Sequence, residues 1–113
     1  MDLHYSELGN HIRLIKLTGK LDITGTGEIE TQFAAHCGGN NPRVLIDLSG
    51  VEFLASIGIR LLTLNAKSIL SRGGRMVLLS PTPDVRNVLE LTGIPAIIPI
   101  YDGRESAETV LQV

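Results

Sequence analysis

Ser56 stands where chemistry is easiest to imagine in this chain. It lies between a strand-and-loop segment ending Phe53-Leu54-Ala55 and a proline-free helical run from Ile57 to Arg72. A serine at a helix start reads as an N-cap, its oxygen accepting from the amide of Gly58 or Ile59. The same place suits a phosphoryl group, because free amide donors and the positive end of a helix hold anions. Gly58 has no side chain to shield the serine. Glycine costs about 0.8 to 1.0 kcal/mol relative to alanine inside a helix, so access to Ser56 is one reason to place it there.

Other chemistries find less support. Ser56 is flanked by Leu54-Ala55 and Ile57-Gly58, which is not the Gly-x-Ser-x-Gly elbow of a hydrolase nucleophile. Gly25-Thr26-Gly27 lacks the third glycine of a dinucleotide fingerprint. Gly19-Lys20 lacks the upstream glycine and the following hydroxyl of a phosphate-binding loop. Cys37 has no CxxC partner, and His4, His11 and His36 are spread without ligand spacing, so they read as surface or satisfied histidines. No acid, base and nucleophile set can be assembled. The expectation is a binding module with no catalytic residues, metal or cofactor.

The elements that would position Ser56 follow from periodicity and breakers. Leu3 to Glu7 and Ile12 to Thr18 alternate around the turn-prone Gly9-Asn10 pair, a hairpin. From about Thr26 the apolar residues Ile29, Phe33 and His36 or Cys37 keep helical spacing, closed by Gly38-Gly39-Asn40-Asn41-Pro42. Arg43 to Ser49 carries the unbroken run Val44-Leu45-Ile46 of a strand covered on both faces, and a loop is expected over Val51 to Ala55. The helix of Ser56 ends at Gly73-Gly74. Arg75 to Ser80 is a further strand. Thr82-Pro83-Asp84 then starts a helix with a capping hydroxyl, a first-turn proline and an acid, and its apolar stripe is Val85, Val88, Leu89 and Thr92. Ile94 to Ile100 is expected as a final strand and Arg104 to Leu111 as a terminal helix. The order β-β-α-β-α-β-α-β-α predicts a single α/β domain over residues 1–113, its mixed sheet mostly parallel and joined by right-handed crossovers.

On the helix after Ser56, about 100° per residue places Ile59, Leu62, Ala66 and Leu70 on one stripe facing the sheet, with Ile69 at its edge. Ile57, Leu61 and Leu64 project elsewhere, flanked by Arg60 and Lys67. Either neighbouring helices cover those three residues, or they form an apolar docking patch beside Ser56.

Bulk composition narrows the partners. In 113 residues, ten Lys and Arg stand against twelve Asp and Glu, so there is no basic excess to neutralise nucleic acid phosphates. With 43% hydrophobic and 19% charged residues the chain should fold on its own. Its apolar runs, such as Ala96 to Ile100, are far short of the roughly 20 residues a membrane span needs. The start, Met1 to Glu7, lacks signal-peptide order and a lone cysteine forms no internal disulfide, which together predict a cytoplasmic setting without membrane insertion.

Four segments in this order resemble the STAS family, the sulfate-transporter and anti-sigma-factor-antagonist domain, in its bacterial single-domain antagonist branch. They are Gly19-Lys20-Leu21-Asp22; Val44 to Val51 leading to Phe53-Leu54-Ala55-Ser56-Ile57-Gly58-Ile59; the Gly73-Gly74 turn; and Pro83-Asp84-Val85 through Leu91-Thr92-Gly93-Ile94. The resemblance implies a mixed sheet with packed helices and a partner-switching role. The unphosphorylated domain would bind an anti-sigma factor serine kinase with an ATP-binding kinase fold. That kinase would phosphorylate Ser56 and so release itself, and a PP2C-type phosphatase would reset the switch. Asp22, matching the acid of the family's Gly-x-Leu-Asp motif, would join Ile57, Gly58, Arg60, Leu61 and Leu64 in the partner surface, or serve as a helix cap. The family's acceptor segment often reads Asp-Ser-Ser-Gly, whereas this chain has Ala55-Ser56-Ile57-Gly58. STAS domains also act without phosphorylation, as constitutive scaffolds in sensory complexes or accessory subunits of lipid-transport ATPases.

Overall fold

The computed structural model describes residues 1–112. Strands β1 (Asp2–Glu7) and β2 (Ile12–Leu21) form the expected hairpin, closed by a 3-10 turn at Gly9–His11. After α1 (Ile23–His36) come β3 (Arg43–Leu54), α2 (Ser56–Ser71), β4 (Arg75–Leu79) and α3 (Pro83–Leu91), then β5 (Ile100–Tyr101) and α4 (Arg104–Leu111). The sheet order is β1-β2-β3-β4-β5, with β1 antiparallel to β2 and every other neighbouring pair parallel.

The unbroken apolar run of β3 is explained by cover on both faces. Val44, Ile46 and Leu48 point into the larger core, where Phe33 of α1, Leu62 and Ile69 of α2, and Val85 and Leu89 of α3 pack. Leu45 points the other way, into a smaller core with Ile12, Val77, Leu79 and Ala107 and Leu111 of α4. The helix predicted over Arg104 to Leu111 is therefore the cover of the second face.

Three regions depart from the sequence expectation. β3 does not stop at Ser49: it continues to Leu54 against a lengthened β2, through register shifts between Lys16 and Thr18 and between Gly19 and Lys20. Gly50 permits this, since a Cβ there would meet Thr18 Oγ1 at 2.9 Å and the Leu17 carbonyl oxygen at 3.0 Å. The first helix begins at Ile23 rather than near Thr26, because Asp22 caps it. The strand expected over Ile94 to Ile100 is instead a 3-10 turn, Ile94–Ala96, followed by the two-residue β5. Pro95 and Pro99 lack the amide a ladder needs, and a helical turn still buries both Ile94 and Ile98.

Two arginines close the C-terminal end of α1. Arg13 donates to the carbonyls of His36 (2.9 Å) and Gly38 (2.6 Å), and Arg72 donates to that of Cys37 (3.0 Å). His36 stacks on Tyr5 with ring centroids 4.0 Å apart. Cys37 is buried in the larger core, and burial pushes its thiol from 9.0 up to about 12, against the opposing pull of Arg13 and Arg72. A raised thiol pKa means that the unfolded chain loses the proton first. Stability should then fall between about pH 9 and 12, by at most about 1.4 kcal/mol per pH unit. Denaturant titrations of the wild type and Cys37→Ala across that range check this, and the wild type should lose stability with pH more steeply than the variant.

Candidate functional site

The extension of β2 and β3 builds the site. Leu21 pairs with Leu54, and the Ala55 amide donates to the Leu21 carbonyl at 3.0 Å, so the chain leaves both strands side by side and enters α1 and α2 together. Asp22 and Ser56 thus start neighbouring helices at the same end of the sheet.

Asp22 is the cap of α1, its Oδ1 accepting from the Gly25 amide at 2.7 Å. The cap of α2 is Ala55, not Ser56. Ala55 offers no side-chain acceptor, while its carbonyl takes the amides of Gly58 (3.0 Å) and Ile59 (3.1 Å). Ser56 is instead the first helical residue and is exposed. The expectation of a capping serine is therefore corrected: its hydroxyl makes no hydrogen bond among the described residues, and α2 begins without any side-chain cap. A helix start lacking a side-chain acceptor, next to a free hydroxyl, is a favourable place for a phosphate.

Gly58 has a packing reason rather than the access reason expected of it. A Cβ there would lie 2.8 Å from both Leu21 Cβ and Leu54 Cδ1, and 3.0 Å from the Leu21 carbonyl oxygen. It is buried, and it lets the first turn of α2 sit on the strand ends.

The apolar residues of α2 divide differently from the wheel. Leu61 is 7% exposed and belongs to the larger core, which corrects its assignment to a partner surface. Ile57 and Leu64 are open, at 38% and 54%, and Leu70, expected on the buried stripe, is exposed instead. Ile57, Arg60 and Leu64, with the mostly buried Leu61 at their base, form one wall of a groove of about 530 Å³ between α2 and α1, whose opposite wall includes Thr26 and Glu30. Sequence reading missed that second wall. It also missed Ile23 and Phe53, exposed at 76% and 51% at the same end of the sheet. The available signal was an apolar residue directly after the capping Asp22 and another at the end of a strand.

Among the described residues no group of three His, Cys, Asp or Glu side chains is placed to hold a metal ion, and no helix is long and apolar enough to cross a membrane. His4 and His11 are exposed and His36 is occupied by its stack on Tyr5.

The chain is thus a five-stranded mixed sheet with α1, α2 and α3 on one face and a serine-headed helix starting at the strand ends. Residues 7–107 match the STAS domain family, and the chain belongs to that family. It is similar to BtrV of Bordetella bronchiseptica, whose name makes it a candidate anti-sigma factor antagonist, with 32% identity over 80% of this chain and 78% of BtrV. The anti-sigma F factor antagonist of Paenibacillus polymyxa is 26% identical over 95% of this chain and 94% of its own length. Among solved structures, an anti-sigma-factor antagonist (STAS) domain protein from Planctomyces limnophilus superposes over the whole of both chains, with a TM-score of 0.87 and 27% identity.

Proposed function

We propose that this chain is an anti-sigma factor antagonist that works by phosphorylation-controlled partner switching. Two relatives similar over most of their length, one of them at 32% identity, bear antagonist names, which supports the antagonist role. The observation that carries the switch is the exposed Ser56 hydroxyl at the uncapped start of α2, next to the open apolar side chain of Ile57. Unmodified, this end of the molecule binds an anti-sigma factor serine kinase. The Ser56 Oγ attacks the γ-phosphorus of the kinase's ATP, the bond to the β-phosphate oxygen breaks, ADP leaves, and the hydroxyl proton passes to a base of the kinase. The product carries roughly −1.5 to −2 charges at the contact. A PP2C-type phosphatase reverses the step: water attacks phosphorus, inorganic phosphate leaves, and Oγ regains a proton.

In this reading the chain is a binding module and a substrate, not an enzyme. Asp22 shapes the surface as the cap of α1. Ile57, Arg60 and Leu64 contact the partner, whereas Gly58 and Leu61 support them from below.

Intact-mass analysis after incubation with the cognate kinase and ATP tests the switch. One phosphate adduct is expected, with fragmentation placing it on Ser56. No adduct, or an adduct elsewhere, would leave a constitutive scaffold as the better description of this domain.

A further inference from the structure

Arg60 follows Ser56 by one helical turn, at i+4 on α2, a spacing that brings side chains onto one face with Cβ atoms roughly 5 to 6 Å apart. It is exposed and makes no hydrogen bond or ion pair among the described residues. It also stands in the wall of the α1–α2 groove, across from Glu30, which is equally unpaired. Two opposite charges face one apolar trough, and neither is neutralised within the molecule. Thr26 lies in the groove too, and its Oγ1 is buried with no hydrogen-bond partner.

The occupant that suits such a trough is helical. Both walls are helices whose interior backbone groups are already paired, so the groove offers no row of free amides and carbonyls to an extended strand. A helix brings its own backbone already satisfied and needs only side-chain complements. From Ile57 to Leu64 the trough runs about two helical turns, enough for apolar anchors at i and i+3 or i+4. Arg60 then calls for an acidic side chain, and Glu30 for a basic one.

We propose that the α1–α2 groove seats an amphipathic helix of the protein partner, with an acidic side chain of that helix on Arg60, and that phosphate on Ser56 releases the helix by taking Arg60 for itself. This rests on the partner-switch reading and adds how the switch acts. A phosphoserine oxygen pairs readily with an arginine guanidinium in a charge-assisted, two-point contact. The same event removes the cation from the partner's acid and sets a dianion beside that acid. Release then comes from competition for one guanidinium together with like-charge repulsion, and it requires no change of fold.

The test has one arm that needs no kinase. Phosphoserine is installed at position 56 during synthesis, and the phosphate is titrated by phosphorus NMR in the otherwise wild-type chain and in Arg60→Gln. Pairing should hold the phosphate's second pKa lower with Arg60 present, by about 0.3 of a pH unit or more, whereas Lys67→Gln should leave it unchanged. In the second arm, the serine kinase that modifies Ser56 is titrated with unphosphorylated protein. Arg60→Gln should lose at least tenfold in affinity and Lys67→Gln less than threefold, and reversing the partner's acid to lysine should restore binding to Arg60→Glu. Equal phosphate titrations with and without Arg60, or equal losses from Arg60→Gln and Lys67→Gln, overturn the proposal. Because the NMR arm depends on no enzyme, a chain that pairs its installed phosphate with Arg60 but is never phosphorylated in the mass experiment would refute the switch reading separately.

Discussion

Ser56→Asp should lower affinity for the proposed anti-sigma kinase partner by about a hundredfold or more, while circular dichroism and the thermal midpoint stay close to wild type. The fold tolerates the charge because an acid at the first position of α2 faces the positive end of that helix, which favours it by about 0.3 to 1 kcal/mol. The interface does not tolerate it. A carboxylate at position 56 draws Arg60 away from the partner and must itself be desolvated against open apolar side chains, a cost of several kcal/mol, and about 2.7 kcal/mol already corresponds to a hundredfold. Ser56→Ala should bind like wild type and, in the presence of ATP, remain bound when the wild type is released. Isothermal titration of both variants, with and without nucleotide, measures the effect. Comparable affinity for Ser56→Asp and Ser56→Ala would remove charge at this position from any account of release.

The second large effect separates two leucines three residues apart. Leu61→Ala should cost about 2 to 5 kcal/mol of stability, since the side chain is 7% exposed and packs in the larger core. In a domain of this size that lowers the thermal midpoint by roughly 10 °C or more. Leu64→Ala, at a position 54% exposed, should change stability by less than about 0.5 kcal/mol. Its cost should fall on binding, more than about 1 kcal/mol if Leu64 anchors the partner. Thermal melts of both variants, followed by kinase titration of Leu64→Ala, check the contrast. A stable Leu61→Ala domain would show that α2 is seated differently from the arrangement described above.

These two leucines also show where reading a sequence reaches its limit. An ideal helical wheel treats the buried arc of α2 as one stripe against a sheet, so it turned Leu61 outward and Leu70 inward. In the fold α1 packs alongside α2 and widens that arc toward Leu61. Near Leu70 the cover is missing, because Pro95 and Pro99 replace the expected strand with a tight turn and the two-residue β5, leaving an open trough between Leu70 and Ile97. Both outcomes depend on neighbours distant in the chain. Local signals served better: Thr82 caps α3 through the Val85 amide and Pro83 opens the helix, as their residue types alone predict. The site was half legible. The position of Ser56 at a helix start follows from local pattern, but its lack of a capping role does not. The helix starts one residue earlier than a serine cap would have it, with Ala55 as the flanking residue held by its amide against Leu21 in a pairing that runs through two register shifts.

The same pairing sets when the proposed switch could first operate. Asp22 and Ser56 come from segments that a growing chain produces at different times, and the parallel joining of β2 to β3 requires α1 to cross over between them. Contacts of long sequence separation form slowly, after local ones, so the hairpin β1–β2 can assemble early while the two helix starts meet late. An incomplete or misfolded chain therefore displays Ser56 without the surface around it. A kinase that must dock before it phosphorylates would pass over such a chain, and signalling would draw only on molecules that have finished folding.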